Sequence, residues 1–532
     1  MLIKKIVIVG GGTAGWATAL NFLQKTSNTE IIIVASKEKP IIGVGESTTG
    51  LFNDLIRSKG EVDIDESDFL KKTGSTYKIG IKHSDWHTIG SSFTSPLGDE
   101  FFNERKHPSV DYDYYRYYFL ANNMPYVALQ SKFMMNNKLS FINIEKDNPH
   151  KNFFGNLYGK INLQFQHMAY HLDTYKVGQY IKEKVLTNSR CKYYDELIED
   201  FTQDDKGFVV NLITKSKEKI DGDLFIDCTG FSRLLIDKIQ KNNFISYKNQ
   251  LMPNSALTFH LENNEDTIIN NFTHVSAKKF GWLWDIPLQH RKGMGYVYND
   301  NFIDAEQAQK EIENDLGIKI TPRSNIKFEA GRFEKFWCKN VLSTGLSSAF
   351  VEPLEATSIH MTMLQVNYFL SYYFTNQMSF DDFSINNYNN SMTSCWDDIK
   401  DFIVLHYHSP RRDTDFWKEA SSMDKKSDRL KGMLNTWKYR LPRVVDYKSK
   451  LGDSFYNLGN TLWLQILMGM KILDPQLAMK ELHNLKMYEY SENKYKAITA
   501  IETYCINQGI NNNEFYNNEI NKLNEYVKTS FR

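Results

Sequence analysis

Three stretches of this 532-residue chain carry residue types and spacings that can do chemistry. Gly10-Gly11-Gly12-Thr13-Ala14-Gly15 holds the G-x-G-x-x-G spacing of a dinucleotide fingerprint. Its first glycine permits a tight turn, its second lets backbone approach a pyrophosphate at a helix N-terminus, and its third allows close helix packing. Trp282-Leu283-Trp284-Asp285-Ile286-Pro287, read as a strand, puts Trp282, Trp284 and Ile286 on one face, an aromatic wall that Pro287 ends. Such a wall can seal a cofactor from its substrate, whereas an isolated tryptophan pair would be read as core. Pro353-Leu354-Glu355-Ala356-Thr357-Ser358 reads as a helix start with Pro353 in its first turn. Free N–H groups near Ala356, Thr357 and Ser358 would then cradle an anion. The plainer counterpart is a surface helix whose Glu352 and Glu355 merely complement the dipole.

The elements that must position these residues follow from patterning. Lys5 to Val9 is a short apolar strand of the kind buried in a parallel sheet, and residues 17–23 continue from the glycines as a helix. Strand, glycine turn and helix together turn a weak motif into a dinucleotide site, with FAD and NAD both open. A second strand, Glu30 to Val34, ends where an acidic residue usually grips the adenosine ribose, yet it runs into Ala35-Ser36 and leaves Glu38 as a substitute. Residues 222–231 read as a turn, a buried strand and a glycine turn. Coming so late, they suit a return strand to the nucleotide-binding sheet, as in FAD proteins whose sheet is interrupted by a substrate domain; any buried α/β strand is the alternative.

Composition narrows the classes. The length exceeds one ordinary core, so two or three units are expected. Lysine plus arginine and aspartate plus glutamate balance at 64 each without long runs, which gives no footprint for nucleic acid or an anionic membrane. Small molecules are the expected ligands. No apolar run reaches spanning length, and Met1 leads directly into the first strand without room for a leader. The cysteines (Cys191, Cys228, Cys338, Cys395 and Cys505) show no CxxC spacing, so neither a metal cluster nor a disulfide framework is indicated and a reducing cytoplasm is expected. His83 with His87, and His406 with His408, lack a third ligand type nearby and are read as structural, so no metal is expected. Ser409-Pro410-Arg411-Arg412-Asp413 reads as a salt-bridged loop. Beyond about residue 390 the pattern turns helical.

Residues 10–16, Gly43-Val44-Gly45-Glu46-Ser47-Thr48, Tyr77-Lys78-Ile79-Gly80-Ile81-Lys82, residues 227–231, residues 282–287, residues 345–357 and residues 401–408 together resemble the flavin-dependent tryptophan halogenase family. The motifs stand in family order and reach beyond residue 460. The resemblance implies an α/β, FAD-binding Rossmann-like (para-hydroxybenzoate-hydroxylase-like) fold with an inserted sheet region, organised as residues 1–390 and a mainly helical subdomain 391–532. It implies FAD, used as FADH2 from a separate flavin reductase, with halide as co-substrate. Oxygen, halide and reduced flavin would yield hypohalous acid, and Trp282 and Trp284 would keep the organic substrate off the flavin.

The resemblance also assigns residues. Lys78 matches the catalytic lysine, which could hydrogen-bond hypohalous acid or, with a lowered pKa, form a haloamine. Lys82, four residues on, keeps the ordinary reading of a solvated charge. Glu355 matches the catalytic glutamate that stabilises the cationic intermediate and accepts the ring proton. Gly10, Gly12, Thr13, Ala14, Gly15, Ser47, Ile198, Leu346 and Ile359 are assigned to the cofactor, and Thr357 and Ser358 to halide. Ser358 stands where the best-known tryptophan chlorinators have glycine, and residues that would clamp a tryptophan backbone are not matched. The expected substrate is therefore an indole or another electron-rich arene, acted on by a two-component enzyme that could form a homo-oligomer. An aromatic hydroxylase or a flavin-binding protein without turnover are the rivals.

Overall fold

The computed structural model describes residues 1–39, 43, 45–97, 114–126, 129–141, 168–241, 243–447 and 460–530. Val44, within one of the motifs above, lies outside the described residues. The chain divides into two compact units, each assembled from three separate stretches. The first comprises Met1–Ser75, Leu172–Lys248 and Phe328–Asp397. The second comprises Thr76–His171, Asn249–Lys327 and Asp398–Arg532.

The first unit is built on a six-stranded sheet whose centre is the strand Lys5–Val9. That strand pairs in parallel with Glu30–Val34 on one side and Leu224–Asp227 on the other. Cys191–Tyr194 extends the sheet beyond Glu30–Val34, and Val341–Ser343 extends it beyond Leu224–Asp227. The return strand expected at residues 222–231 is thus present, in register with the first strand through Val9 and Asp227. Continuous apolar runs are needed because both faces are covered. On one face Val7, Val9, Ile32, Val34 and Phe225 pack with Ile198, Val209, Leu212 and Ile220 from a small antiparallel sheet.

A seven-stranded sheet forms the second unit's scaffold, running Ser324–Lys327, Ser255–Glu262, Arg291–Tyr298, Gly281–Pro287, Thr273–Ala277, Gly80–Ser84 and Ser92–Pro96 in spatial order. Alternation sorts its side chains. Leu283 packs with Leu257, Phe259, Met294 and Tyr296 against Ala308 and Ile312 of the helix Ala305–Leu316, so Trp282 and Trp284 face the opposite side. Helix Ala305–Leu316 begins with a capping box between Asp304 and Gln307 and ends at Gly317, whose φ of 67° is the left-handed stop common at C-termini. Past residue 381 the described chain is mostly helical, beginning with the 25-residue helix Asp382–His406. Among the described residues, no helix is long and apolar enough to cross a membrane.

Candidate active site

The first unit supplies sites made of backbone. Gly10 follows the first strand with φ 119°, and a Cβ there would stand 2.2 Å from the Cys228 carbonyl oxygen. At Gly15 a Cβ would stand 1.9 Å from the Gly10 carbonyl oxygen, so helix Thr13–Lys25 can lie this close to the turn only with glycine. Gly12, the N-cap of that helix, is different: among the described residues, no atom beyond its own chain neighbours lies within 4 Å of a Cβ built on it. Open space in front of first-turn N–H groups, with Thr13 and Ala14 beginning the helix, is the arrangement a pyrophosphate requires. The group implied by the sequence therefore fits.

Asp227, at the end of the neighbouring strand, is fully buried and organises the adjoining loops. Its Oδ1 accepts from the Thr229 N–H at 3.0 Å and the Thr229 hydroxyl at 2.7 Å. Its Oδ2 accepts from the N–H groups of Leu235 at 2.8 Å and Ile236 at 2.9 Å. The Ser347 hydroxyl donates to the Asp227 carbonyl at 2.5 Å, which fixes the turn Gly345–Ser347 that carries Leu346. Ser47 is buried in the strand Glu46–Ser47, beside a Glu46 carboxyl that desolvation pushes up to about 7. Ile198 lies in the core cluster behind the sheet.

One expectation is corrected here. Pro353 opens a separate short turn, Pro353–Glu355, and Ala356 then adopts φ 58°. A left-handed residue cannot continue a right-handed helix, so the 16-residue helix Thr357–Tyr372 starts afresh at Thr357. Thr357 and Ser358 thus occupy its first turn, where N–H groups have no intrahelical acceptor. The Thr357 hydroxyl oxygen is buried without a hydrogen-bond partner among the described residues. Glu355 and Ile359, 6% and 7% exposed, flank this helix start in sequence. One turn on, His360 Nδ1 lies 2.7 Å from the Thr49 hydroxyl, and burial lowers its pKa to about 4.

The second unit supplies buried side chains. Lys78 ends the short strand Thr76–Lys78 and is 0% exposed, although lysine is almost never fully buried. The strand pairs antiparallel with Ala169–Leu172, placing Lys78 opposite Ala169 and Thr76 opposite His171. The single Thr76 hydroxyl proton goes to the Pro287 carbonyl at 2.6 Å, so the same oxygen accepts from His171 Nδ1–H at 3.0 Å. His171 Nε2 then accepts from the Thr273 hydroxyl at 3.0 Å. Desolvation, reinforced by the charge of Lys78, holds this imidazole well below its ordinary pKa and keeps it neutral.

Trp282 and Trp284 lie on the strand Gly281–Pro287 with ring centroids 6.0 Å apart. Both are buried, and the Trp284 indole Nε1 finds no acceptor among the described residues. The Trp284 ring lies over Gly295, its cross-strand partner, where a Cβ would meet the ring at 2.2 Å. Lys82 sits half-buried mid-strand opposite Thr94. Of the four histidines weighed as pairs, the fold brings together one from each: the His83 and His406 rings are 5.5 Å apart, with His83 stacked on Phe93 at 4.6 Å. The Arg411 guanidinium pairs with Asp413 at 2.8 Å and donates to the Asp85 carbonyl, the expected salt-bridged loop.

Sequence reasoning gave no role to His171, Gly295 or Asp227. Gly295 had a signal, since antiparallel pairing around a tight turn sets a small residue against a large ring. His171 had none, because strands about ninety residues apart bring it beside Lys78's own strand.

A parallel sheet with a glycine turn and an open helix N-terminus in one unit, and a buried lysine and a tryptophan face in the other, describe a two-unit protein with the architecture of a dinucleotide-binding fold. The tryptophan halogenase family matches residues 5–485, and the chain belongs to it. Its fold and enzyme class are accordingly those of the flavin-dependent halogenases. Tryptophan 6-halogenase ThaL from Streptomyces albogriseolus is 29% identical over 83% of each chain. The solved structure of tryptophan 6-halogenase SttH from Streptomyces toxytricini is similar with a TM-score of 0.83 and 25% identity, over 97% of this chain and 99% of that one. That of BrvH, a flavin-dependent halogenase from Brevundimonas sp. BAL3, has a TM-score of 0.78 and 26% identity, over 97% of this chain and 98% of that one.

Proposed function

We propose that this enzyme halogenates an indole or another electron-rich arene through Lys78 and Glu355. Bound reduced FAD, delivered by a separate reductase, supplies hypohalous acid from oxygen and halide. The first-turn N–H groups of the helix starting at Thr357, with the Thr357 hydroxyl, hold the halide beforehand. Lys78 then presents the electrophilic halogen. As an ammonium it donates a hydrogen bond to the acid's oxygen; as a free amine it takes the halogen on nitrogen and releases water. The arene carbon takes the halogen, and Glu355 accepts the proton that carbon loses, so arene and hypohalous acid give haloarene and water. Trp282 and Trp284 exclude the arene from the flavin.

The observation that carries this reading is the complete burial of Lys78 beside a histidine held neutral. A buried cation is costly, and a neutral neighbour avoids adding a second charge. The test is mass spectrometry of indole incubated with the protein, FAD, a flavin reductase, NADH and oxygen, with chloride, bromide or iodide supplied separately and catalase present. A halogen isotope signature that disappears in Lys78→Ala, with flavin oxidation retained, is the expected result. A halide-independent oxygenated product would replace this reading with hydroxylation.

A further inference from the structure

Lys78 owes its place to a strand of only three residues, Thr76–Lys78. So short a strand makes few backbone hydrogen bonds, and side chains decide where it sits. On one face Tyr77 stacks on its cross-strand partner Tyr170 with ring centroids 5.6 Å apart. The other face carries Thr76 and Lys78, opposite His171 and Ala169 respectively. The imidazole is therefore the diagonal neighbour of the lysine, near enough for the amine's charge to bear on it.

The hydrogen bonds through that imidazole form one directed chain. The Pro287 carbonyl, at the end of the tryptophan strand, accepts from the Thr76 hydroxyl, whose oxygen accepts from His171 Nδ1–H, while Nε2 accepts from the Thr273 hydroxyl. Thr76, His171 and Thr273 are all buried. The chain thus joins four strands, Thr76–Lys78, Ala169–Leu172, Thr273–Ala277 and Gly281–Pro287. On the far side of Lys78, the Ile79 N–H donates to the Asn271 carbonyl at 2.8 Å, two residues before Thr273. A neutral imidazole suits this junction because it donates from one nitrogen and accepts at the other, whereas a lysine or arginine there would set a second cation beside a buried amine.

We propose that His171 is a positioning residue for halogen transfer: through Thr76 it fixes Lys78 relative to the tryptophan strand, so that the amine meets hypohalous acid before the acid escapes. This rests on the reading of Lys78 given above. His171 touches neither halogen nor arene in this role, and its proton stays on Nδ1.

Two measurements test it. In nitrogen NMR of histidine-labelled protein near neutral pH, the resonance assigned by its loss in His171→Gln should show the neutral Nδ1–H form; a charged ring or an Nε2–H form overturns the proposal. Turnover is then divided between haloarene and escaped hypohalous acid, the latter collected by a soluble trap. Thr76→Val, which cuts the chain and keeps the shape, should lower the ratio of haloarene to trapped acid about tenfold, the upper worth of one hydrogen bond, and Thr76→Ser should restore it. A folded Thr76→Val with the natural ratio, or a Thr76→Ser as defective as Thr76→Val, overturns the proposal. If Thr76→Val does not fold, Thr273→Val takes its place with the same expectation; failure of both to fold would mark the chain as purely architectural and overturn it as well. Lys78→Met separates the two readings. Haloarene retained in Lys78→Met sinks the reading of Lys78 and the proposal with it, whereas haloarene lost there beside a natural ratio in Thr76→Val sinks the proposal alone.

Discussion

The first unit builds its candidate ligand sites mainly from backbone, and the second builds its from buried side chains. Around Gly10, Gly12 and Gly15, and again at Thr357, the useful groups are N–H donors at helix N-termini, arranged by what side chains leave vacant. In the second unit the candidate groups are the Lys78 amine, the His171 imidazole and the Trp282 and Trp284 indoles, each on a strand held by cross-strand pairing. The difference teaches how each can fail. A backbone cradle tolerates many side-chain changes but not a Cβ in the wrong place. A buried amine has no substitute, because no neighbouring backbone can supply its chemistry. Glu355 is the exception in the proposed scheme, a side chain given a chemical role in the unit whose other candidate groups are N–H donors.

Lys78 sharpens the contrast most. Lys78→Met keeps about the same buried volume and removes the ammonium, and the variant should still fold and bind flavin. Product formation should fall more than about a thousandfold, the upper range for removing a proton-handling group. Equal loss of flavin binding would mean that Lys78 is architectural and that the two units do not divide their labour this way. Glu355→Gln keeps shape and hydrogen-bonding capacity but cannot accept a ring proton. Its turnover should drop about a hundredfold with flavin affinity unchanged. A Gln variant with full activity would erase the exception and leave all chemistry with Lys78.

Gly295→Ala tests whether the tryptophan face depends on what lies beneath it. The new Cβ would meet the Trp284 ring at 2.2 Å, and the ring is buried, so the strand or the ring must shift. Overpacking of this kind costs about 1–3 kcal/mol, and the thermal midpoint should fall accordingly. The accompanying readout is indole-dependent flavin oxidation, which should change only if the wall has opened. Unaltered stability would show that Trp284 has room to move and that the face is less fixed than its burial indicates.

The backbone-built sites were the legible ones. A glycine turn announces itself because Gly10 and Gly15 are demanded by local sterics, and the apolar runs of the first unit's strands follow from burial on both faces. The tryptophan face was legible from alternation along a single strand. Lys78 was legible only through resemblance, since nothing in its local sequence distinguishes it from a solvated lysine. The interleaving of the units was hidden for the same reason: each draws on three stretches of chain, and long-range strand pairing is not a local signal. At residues 353–358 the reading was right about a helix start but placed it four residues early, because Ala356 adopts a left-handed conformation that alanine rarely takes.

Thr357 is where the comparison is most finely poised, because in the proposed scheme a side chain there supplements a backbone cradle. Its hydroxyl is buried without a partner among the described residues, an arrangement that costs stability unless something else accepts or donates there. Thr357→Val keeps the branched shape and removes the oxygen. If the hydroxyl serves halide, the halide KM should rise about tenfold while the first-turn N–H groups preserve residual binding. The thermal midpoint should stay level or rise, since an unsatisfied buried group has been deleted. Flavin affinity should not move. A fall in stability with unchanged halide KM would give the opposite picture, a hydroxyl that serves the helix start alone and a halide held by backbone only.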